Sequence, residues 1–426
     1  MQISPNKTYF EQDGKPYFYL ADTCGSAFTN ISEADWSYYL DFRKAQGFNT
    51  IQVNLLWQWD ASTPAFHIMP YAQSENGAFD FNQPNSEYFD RVYRMMKVAR
   101  DKNMTIGLVL LWVNYLPDTW AQGINDLNTF PLDMVETYIE EVVRRYDAFS
   151  PIYIVSGDTD FPNDAVTEYF TRALKRLKEL SPNALTTLHL CGPDSNIPDS
   201  IMNNPNLDFY TFQSGHDVNS PQIIHHLTTR FREKVTRPLL NAEPCYEMMG
   251  YGPMVYGRFD RFDVRRAAWQ SVLSGANAGM TYGAHGIWSW YEPNLPNDTK
   301  TYLIFDRPYP WREALKFEGA NDYAFLKRFM EAHDFHTLKP CREKITNTDS
   351  PEIAAAESEA YLLVYLPYNT VLTLSENLAD CQAYYLDLNS KNQVTTQLNW
   401  LDTDKVTQVP MHPYTQDALL VINKRA

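Results

Sequence analysis

The chain has 426 residues, 44% hydrophobic and 21% charged, enough for one large domain and a small one. Its formal net charge of −16 (36 basic, 52 acidic) disfavours nucleic acid and anionic membrane surfaces as partners. No apolar run approaches the ~20 residues that span a bilayer.

Aromatic residues make up 14% of the chain. Core packing absorbs many of them, but flat rings also suit stacking on sugars. Cys24, Cys191, Cys245, Cys341 and Cys381 are widely spaced, with no CxxC or His/Cys cluster. Free, mostly buried thiols are therefore expected, with no metal site, in a reducing compartment. The segment Met1–Lys7 has no signal-peptide pattern. A cytoplasmic protein is expected, or a secreted one whose leader has been removed.

Tyr9–Glu11 and Tyr17–Leu20 flank a turn at Asp13–Pro16 and read as a hairpin. Ser32 opens a helix that Gly47 closes. Phe48–Leu56 is an apolar strand. About 30 residues of aromatic-rich loop follow it, far beyond the usual ~4–6, which predicts a functional segment. Ser86 caps a helix with Phe89, Val92, Met96 and Ala99 on one face. Thr105–Trp112 is a strand and Pro131 begins a helix. Ile152–Val155, Thr186–Leu190 and Leu207–Phe212 are further strands, and Pro221 opens another helix.

Pro238–Glu243 is a short apolar strand that ends in a carboxylate, and Pro244 stops it. Asp263 caps the next helix, and Gly279–Trp290 holds the last strand and its loop. Eight strands alternating with helices predict an α/β fold, a (β/α)8 TIM barrel. It should occupy residues 1–338 together with the N-terminal hairpin. Leu338–Pro340 reads as a hinge. The short strands of 341–426 predict a small antiparallel β-sandwich.

In such a barrel the chemistry sits at the C-terminal strand ends. Those ends carry Asp22, Asn54, Trp112, Asp158, His189, Gln213 and His216, Glu243, and His285 with Trp288. Trp57, Trp290, Tyr246 and Glu247 lie in the adjoining loops. Asp158 and Glu243, on the fourth and seventh strands, could flank one glycosidic bond as acid and partner carboxylate.

Other readings stay open. Glu243 could be a buried acid paired with Arg265 or Arg266. Asp158 could cap a turn, Asp160 could replace it as the acid, and Glu247 could replace Glu243. Asp22 could be structural. A metal hydrolase would want an HxH pair on the first strand, and a serine hydrolase GxSxG; neither is present. There is no GxGxxG or P-loop, and no cofactor is expected. A catalytically inactive carbohydrate-binding or matrix-adhesion protein is the alternative to an enzyme.

Several runs resemble the apiosidase-like glycoside hydrolases: Asp13–Thr23, Gln46–Gln52, Asn241–Glu247, Asp263–Trp269, and Thr281–Gly283 with Gly286–Trp290. The C-terminal segment is similar to a module labelled collagen-binding in that family. The resemblance covers essentially the whole chain. It implies a barrel glycosidase that removes apiose or a related sugar from plant-type polysaccharide. It implies Asp158 as acid/base and Glu243 as nucleophile. Relatives often carry a second glycine where this chain has Ser156.

Overall fold

The computed structural model describes residues 1–124, 126–192, 197–220, 222–252, 255–295 and 306–425. Eight parallel strands build the central sheet: β1 (Tyr19–Thr23), β2 (Thr50–Asn54), β3 (Thr105–Trp112), β4 (Ile152–Gly157), β5 (Thr186–Thr187), β6 (Tyr210–Gln213), β7 (Leu239–Glu243) and β8 (Gly279–Tyr282). Their order is 5-4-3-2-1-8-7-6, so the sheet curls until β5 faces β6. That seam lacks a regular ladder. It is joined by the Asp208 N–H donating to Thr186 O (3.0 Å) and the Thr187 hydroxyl donating to Phe209 O (2.8 Å). The Thr211 hydroxyl donates to Leu188 O. The strands are buried on both faces because helices cover the outside and side chains fill the interior.

The helices follow their strands as a (β/α)8 barrel requires: α1 (Glu33–Gln46), α2 (Ser86–Asp101), α3 (Val135–Tyr146), α4 (Asp164–Leu180), the single turn α5 (Asp199–Met202), α6 (Ile223–Arg232), α7 (Arg261–Leu273) and α8 (Gly319–Ala332). The Ser32 hydroxyl accepts from Asp35 N–H, and Gly47 ends α1 at φ 110°, where a side chain would be strained.

Some boundaries differ from the sequence reading. The hairpin pairs Phe10–Gln12 with Lys15–Tyr17, and β1 is a separate element beginning at Tyr19. Asn85 rather than Ser86 caps α2. Asp260 caps α7, with Asp263 as its reciprocal partner in a capping box. Pro131 precedes one 3-10 turn before α3. Pro221 lies outside the described residues, and α6 starts at Ile223. The long loop after β2 contains its own hairpin, Tyr71–Gln73 with Phe79–Pro84. Tyr71, Phe79 and Phe81 are buried core there, so part of the loop's aromatic content is structural.

The expected hinge is a strand. Lys339–Pro340 pairs with Ala356–Glu357 at the edge of a six-stranded antiparallel sheet. A three-stranded sheet (Leu372–Leu374, Val406–Val409 and Asn399–Leu401) is the second layer of the C-terminal segment. Side chains alternate along the six-stranded sheet, as the period of two demands. Leu362, Val364, Leu420 and Ile422 share a core with the small sheet, whereas Leu363, Tyr365, Leu419 and Val421 belong to the barrel's core cluster. This face packs on α7. Arg265 on α7 reaches Asp417 at 2.5 Å and Asp322 on α8 at 3.0 Å, all three fully buried. Lys391 completes the cluster at 2.7 Å from Asp322.

Candidate active site

At the C-terminal ends of the strands a cavity of about 330 Å3 opens. Glu243 ends β7 at its wall. The two oxygens of its carboxylate meet two imidazoles: Nε2 of His189 at 3.1 Å and Nε2 of His216 at 3.0 Å. Backbone amides fix the proton on each ring. Asp158 N–H donates to His189 Nδ1 (3.3 Å), and Tyr246 N–H donates to His216 Nδ1 (3.4 Å). With Nδ1 an acceptor, each ring carries a hydrogen on Nε2 and donates it to Glu243. Burial opposes ionisation of Glu243, but the two donors and their positive edges prevail and bring the carboxyl down to about 2.

Asp158 follows β4 in the left-handed region, at φ 57°. A non-glycine residue there is strained and needs support. The Trp120 indole N–H donates to its carbonyl at 3.0 Å. The Ser156 hydroxyl donates to His189 O (2.8 Å) and accepts from His189 N–H (3.0 Å). Ser156 thus fixes the backbone of the histidine beside Asp158. Oδ1 of Asp158 is buried without a partner. Burial, then the charge of Glu243, then Asp60 and Asp160, push its carboxyl well above the ordinary range. The carboxyl of Glu243 is thus lowered and that of Asp158 raised at the wall of a single cavity.

Aromatic rings shape the walls. Trp112, Trp120, Trp288 and Tyr246 all line the cavity. The Trp112 ring lies on Gly157, where a Cβ would fall 2.0 Å from it, and Tyr246 lies on Gly283 in the same way at 2.1 Å. Both glycines are therefore fixed by close approach. Asn54 and Gln213 also reach the cavity, and Gln213 accepts from Gly192 N–H at 2.5 Å. Among the described residues no lysine or arginine lines it.

Five of the expected contacts lie elsewhere. Asp22 is fully buried, accepting from the Tyr39 hydroxyl and from Arg43 Nε at 2.6 Å each. Glu247 accepts from the Tyr282 hydroxyl (2.5 Å) and Gly319 N–H (2.9 Å), which locks it against α8, and it does not line the cavity. His285 donates to Asp306 O and accepts from the Trp288 indole at 3.2 Å, so it orients a cavity wall from behind. Burial holds its imidazole down at about 4. Trp290 stacks on Trp311 with centroids 4.2 Å apart. Trp57 packs beside Trp59, Val113 and Ala121 and does not line the cavity. Arg265 and Arg266 pair with other acids, so neither neutralises Glu243.

Sequence reasoning missed Asp60, Gln52, Gln58, Trp120 and Cys191, all of which line the cavity. The abnormal length of the loop holding Trp57-Gln58-Trp59-Asp60 was the available signal for two of them.

A barrel whose mouth brings a histidine-held glutamate and a buried aspartate into one cavity walled by aromatic rings has the groups that a glycoside hydrolase needs. Residues 4–337 match the family model "Apiosidase-like, catalytic domain", and the chain belongs to that family. No curated protein matches it in sequence. Among solved structures it is similar to a family 5 glycoside hydrolase from Bacteroides vulgatus ATCC 8482, with TM-score 0.81 and 21% identity over 100% of this chain and 93% of the other. A protein described as a glycoside hydrolase gives TM-score 0.79 and 20% identity over 99% and 96%. A third, described as a putative glycoside hydrolase from the same bacterium, gives 0.68 and 16% over 99% and 82%. At these identities the likeness establishes the fold. No helix among the described residues is long and apolar enough to cross a membrane.

Proposed function

We propose that this hydrolase cleaves plant-type oligosaccharide or polysaccharide with retention of configuration, removing apiose or a related sugar. Asp158 donates a proton to the glycosidic oxygen while Glu243 attacks the anomeric carbon and the C–O bond breaks. Water, deprotonated by Asp158, then releases the sugar from Glu243.

One observation carries the reading: both oxygens of Glu243 are held by histidine N–H groups. A carboxylate held at about 2 is too weak a base to activate water well. It is a good nucleophile for a double displacement, because it must also leave. Its charge raises Asp158 in the resting enzyme. Once Glu243 is esterified that charge is gone, so Asp158 becomes easier to deprotonate when a base is needed. Family membership supports the sugar class. The wide spacing of the five cysteines, with no CxxC pair, supports a reducing, cytoplasmic setting.

The test is to digest pectic and hemicellulosic oligosaccharides and identify the monosaccharide released, following its anomeric configuration by NMR at early times. Release of the same anomer as the substrate supports retention, and the opposite anomer overturns it. No release by wild type, or undiminished release by Glu243→Gln, overturns the hydrolase reading.

A further inference from the structure

Asp60 is the feature of the cavity that the two-acid chemistry does not use. It lines the wall and is 6% exposed. Its Oδ1 is buried with no hydrogen-bond partner in the protein. A buried carboxyl oxygen left unpaired destabilises a fold, and such groups concentrate where a ligand supplies the missing partner.

The loop that carries it is firmly placed. Ala61 N–H donates to Gln58 O (3.1 Å) and Ser62 N–H donates to Ser289 O (3.0 Å). The Asn30 side-chain amide donates to Ser62 O at 2.6 Å. Asn54 donates to Gln58 Oε1, also at 2.6 Å, and Trp59 packs edge-on against Trp120. Asp60 is therefore held in position, with an open valence, in the cavity that contains Asp158 and Glu243.

We propose that Asp60 is a specificity-determining residue, whose carboxyl hydrogen-bonds a hydroxyl of an uncharged sugar bound between Asp158 and Glu243. The inference rests on the hydrolase reading above. Burial and the charge of Glu243 keep the Asp60 carboxyl up at about 8. A neutral carboxyl both donates and accepts, which matches a sugar hydroxyl. A uronate or sulfated sugar would enter among Asp60, Asp158, Asp217 and Glu243 with no lysine or arginine among the described lining residues to meet its charge.

The experiment uses 4-nitrophenyl glycosides of neutral pentoses and hexoses, with monodeoxy analogues of the best substrate. The proteins are wild type, Asp60→Ala, Asp60→Asn and Glu243→Gln. Losing a hydrogen bond of this kind should raise KM about tenfold in Asp60→Ala, with a smaller change in kcat. Asp60→Asn keeps one donor and one acceptor, so near pH 6 it should stay within about threefold of wild type. One monodeoxy analogue should cost wild type about tenfold and cost Asp60→Ala nothing. The melting temperature of Asp60→Ala should equal or exceed that of wild type, whereas a purely structural aspartate would lower it when removed. An unchanged KM in Asp60→Ala, or analogues that penalise both enzymes alike, overturns the inference. Binding of the same glycosides to Glu243→Gln, with and without Asp60→Ala, is measured by calorimetry. Turnover by Glu243→Gln overturns the hydrolase reading alone. Equal binding by the two inactive proteins overturns the role of Asp60 alone, and no binding of any glycoside overturns both.

Discussion

Asp158 donates its backbone N–H to Nδ1 of His189 at 3.3 Å. The residue after β4 thereby sets the tautomer of the ring that donates to Glu243 on β7. The two acids are linked through a peptide amide and an imidazole, in addition to their mutual field.

His189→Ala tests that link. Removing one of two donors should raise the Glu243 carboxyl, since the two histidines are what bring it down. The acid limb of kcat/KM should move to higher pH. The rate at neutral pH should fall about ten- to a hundredfold, as for other hydrogen bonds to a charged group. An unmoved acid limb would show that His189 does not control the glutamate.

Asp158→Ala should depend on the leaving group. Substrates with activated aryl leaving groups need little protonation, so they should lose far less than alkyl or sugar leaving groups. Azide should restore part of the rate and give a glycosyl azide of retained configuration. Equal losses across leaving groups would point to another acid.

The pH profile has a definite sign. In the proposed reaction Asp158 must hold a proton, and burial, Glu243 and the nearby Asp60 and Asp160 raise its carboxyl. Asp60→Asn removes one of those neighbours, so the alkaline limb of kcat/KM should move to lower pH. Glu243 acts oppositely on stability. Its folded value lies below the unfolded one, so its contribution is present above roughly pH 4.3 and is lost as pH falls through about 2. Urea denaturation of wild type and Glu243→Gln across this range should converge at the acid end.

Asp22→Asn separates structure from chemistry. It leaves the fully buried Arg43 without its counter-charge, so stability should fall by about 3–5 kcal/mol. In the fraction that folds, KM should be unchanged, because Asp22 does not line the cavity. A raised KM at unchanged stability would restore it to the site.

Arg265→Met should lower stability by a similar margin, about 3–5 kcal/mol, by taking the cation from buried Asp417, while Asp322 keeps Arg261 and Lys391. Because Asp417 belongs to the C-terminal segment, limited proteolysis should find new cleavage within 341–426. A protease-resistant variant of unchanged melting temperature would show that apolar packing alone holds the sheet to α7.

The barrel was legible because its strands are unbroken apolar runs between helical periodicities, and each strand end could be read as a residue at the mouth. Which way that residue faces was not legible. Along β1, Asp22 points to Tyr39 and Arg43 on α1, while the next residue, Thr23, lines the cavity. Strand parity decides this, and a one-residue error exchanges inside for outside. Glu247 went wrong because its partner, Gly319 N–H, is 72 residues away. The histidines were legible as strand-end residues, but their shared partner was not, since it depends on β5, β6 and β7 converging. Asp60 sits on a loop with no periodic pattern; the loop's length marked the segment, but only its surroundings in space single out the residue.

The acid-walled cavity, with no ammonium or guanidinium group among its described lining residues, bears on inhibition as well as turnover. As the bond to the departing group stretches, the sugar ring gains positive charge, and every ionisable wall group favours that charge or leaves it unopposed. A ring-nitrogen mimic such as a pyrrolidine or piperidine iminosugar, protonated in solution, would enter as a ready-made copy of that state. Its stereochemistry would then report the natural sugar, even before any polymer has been digested.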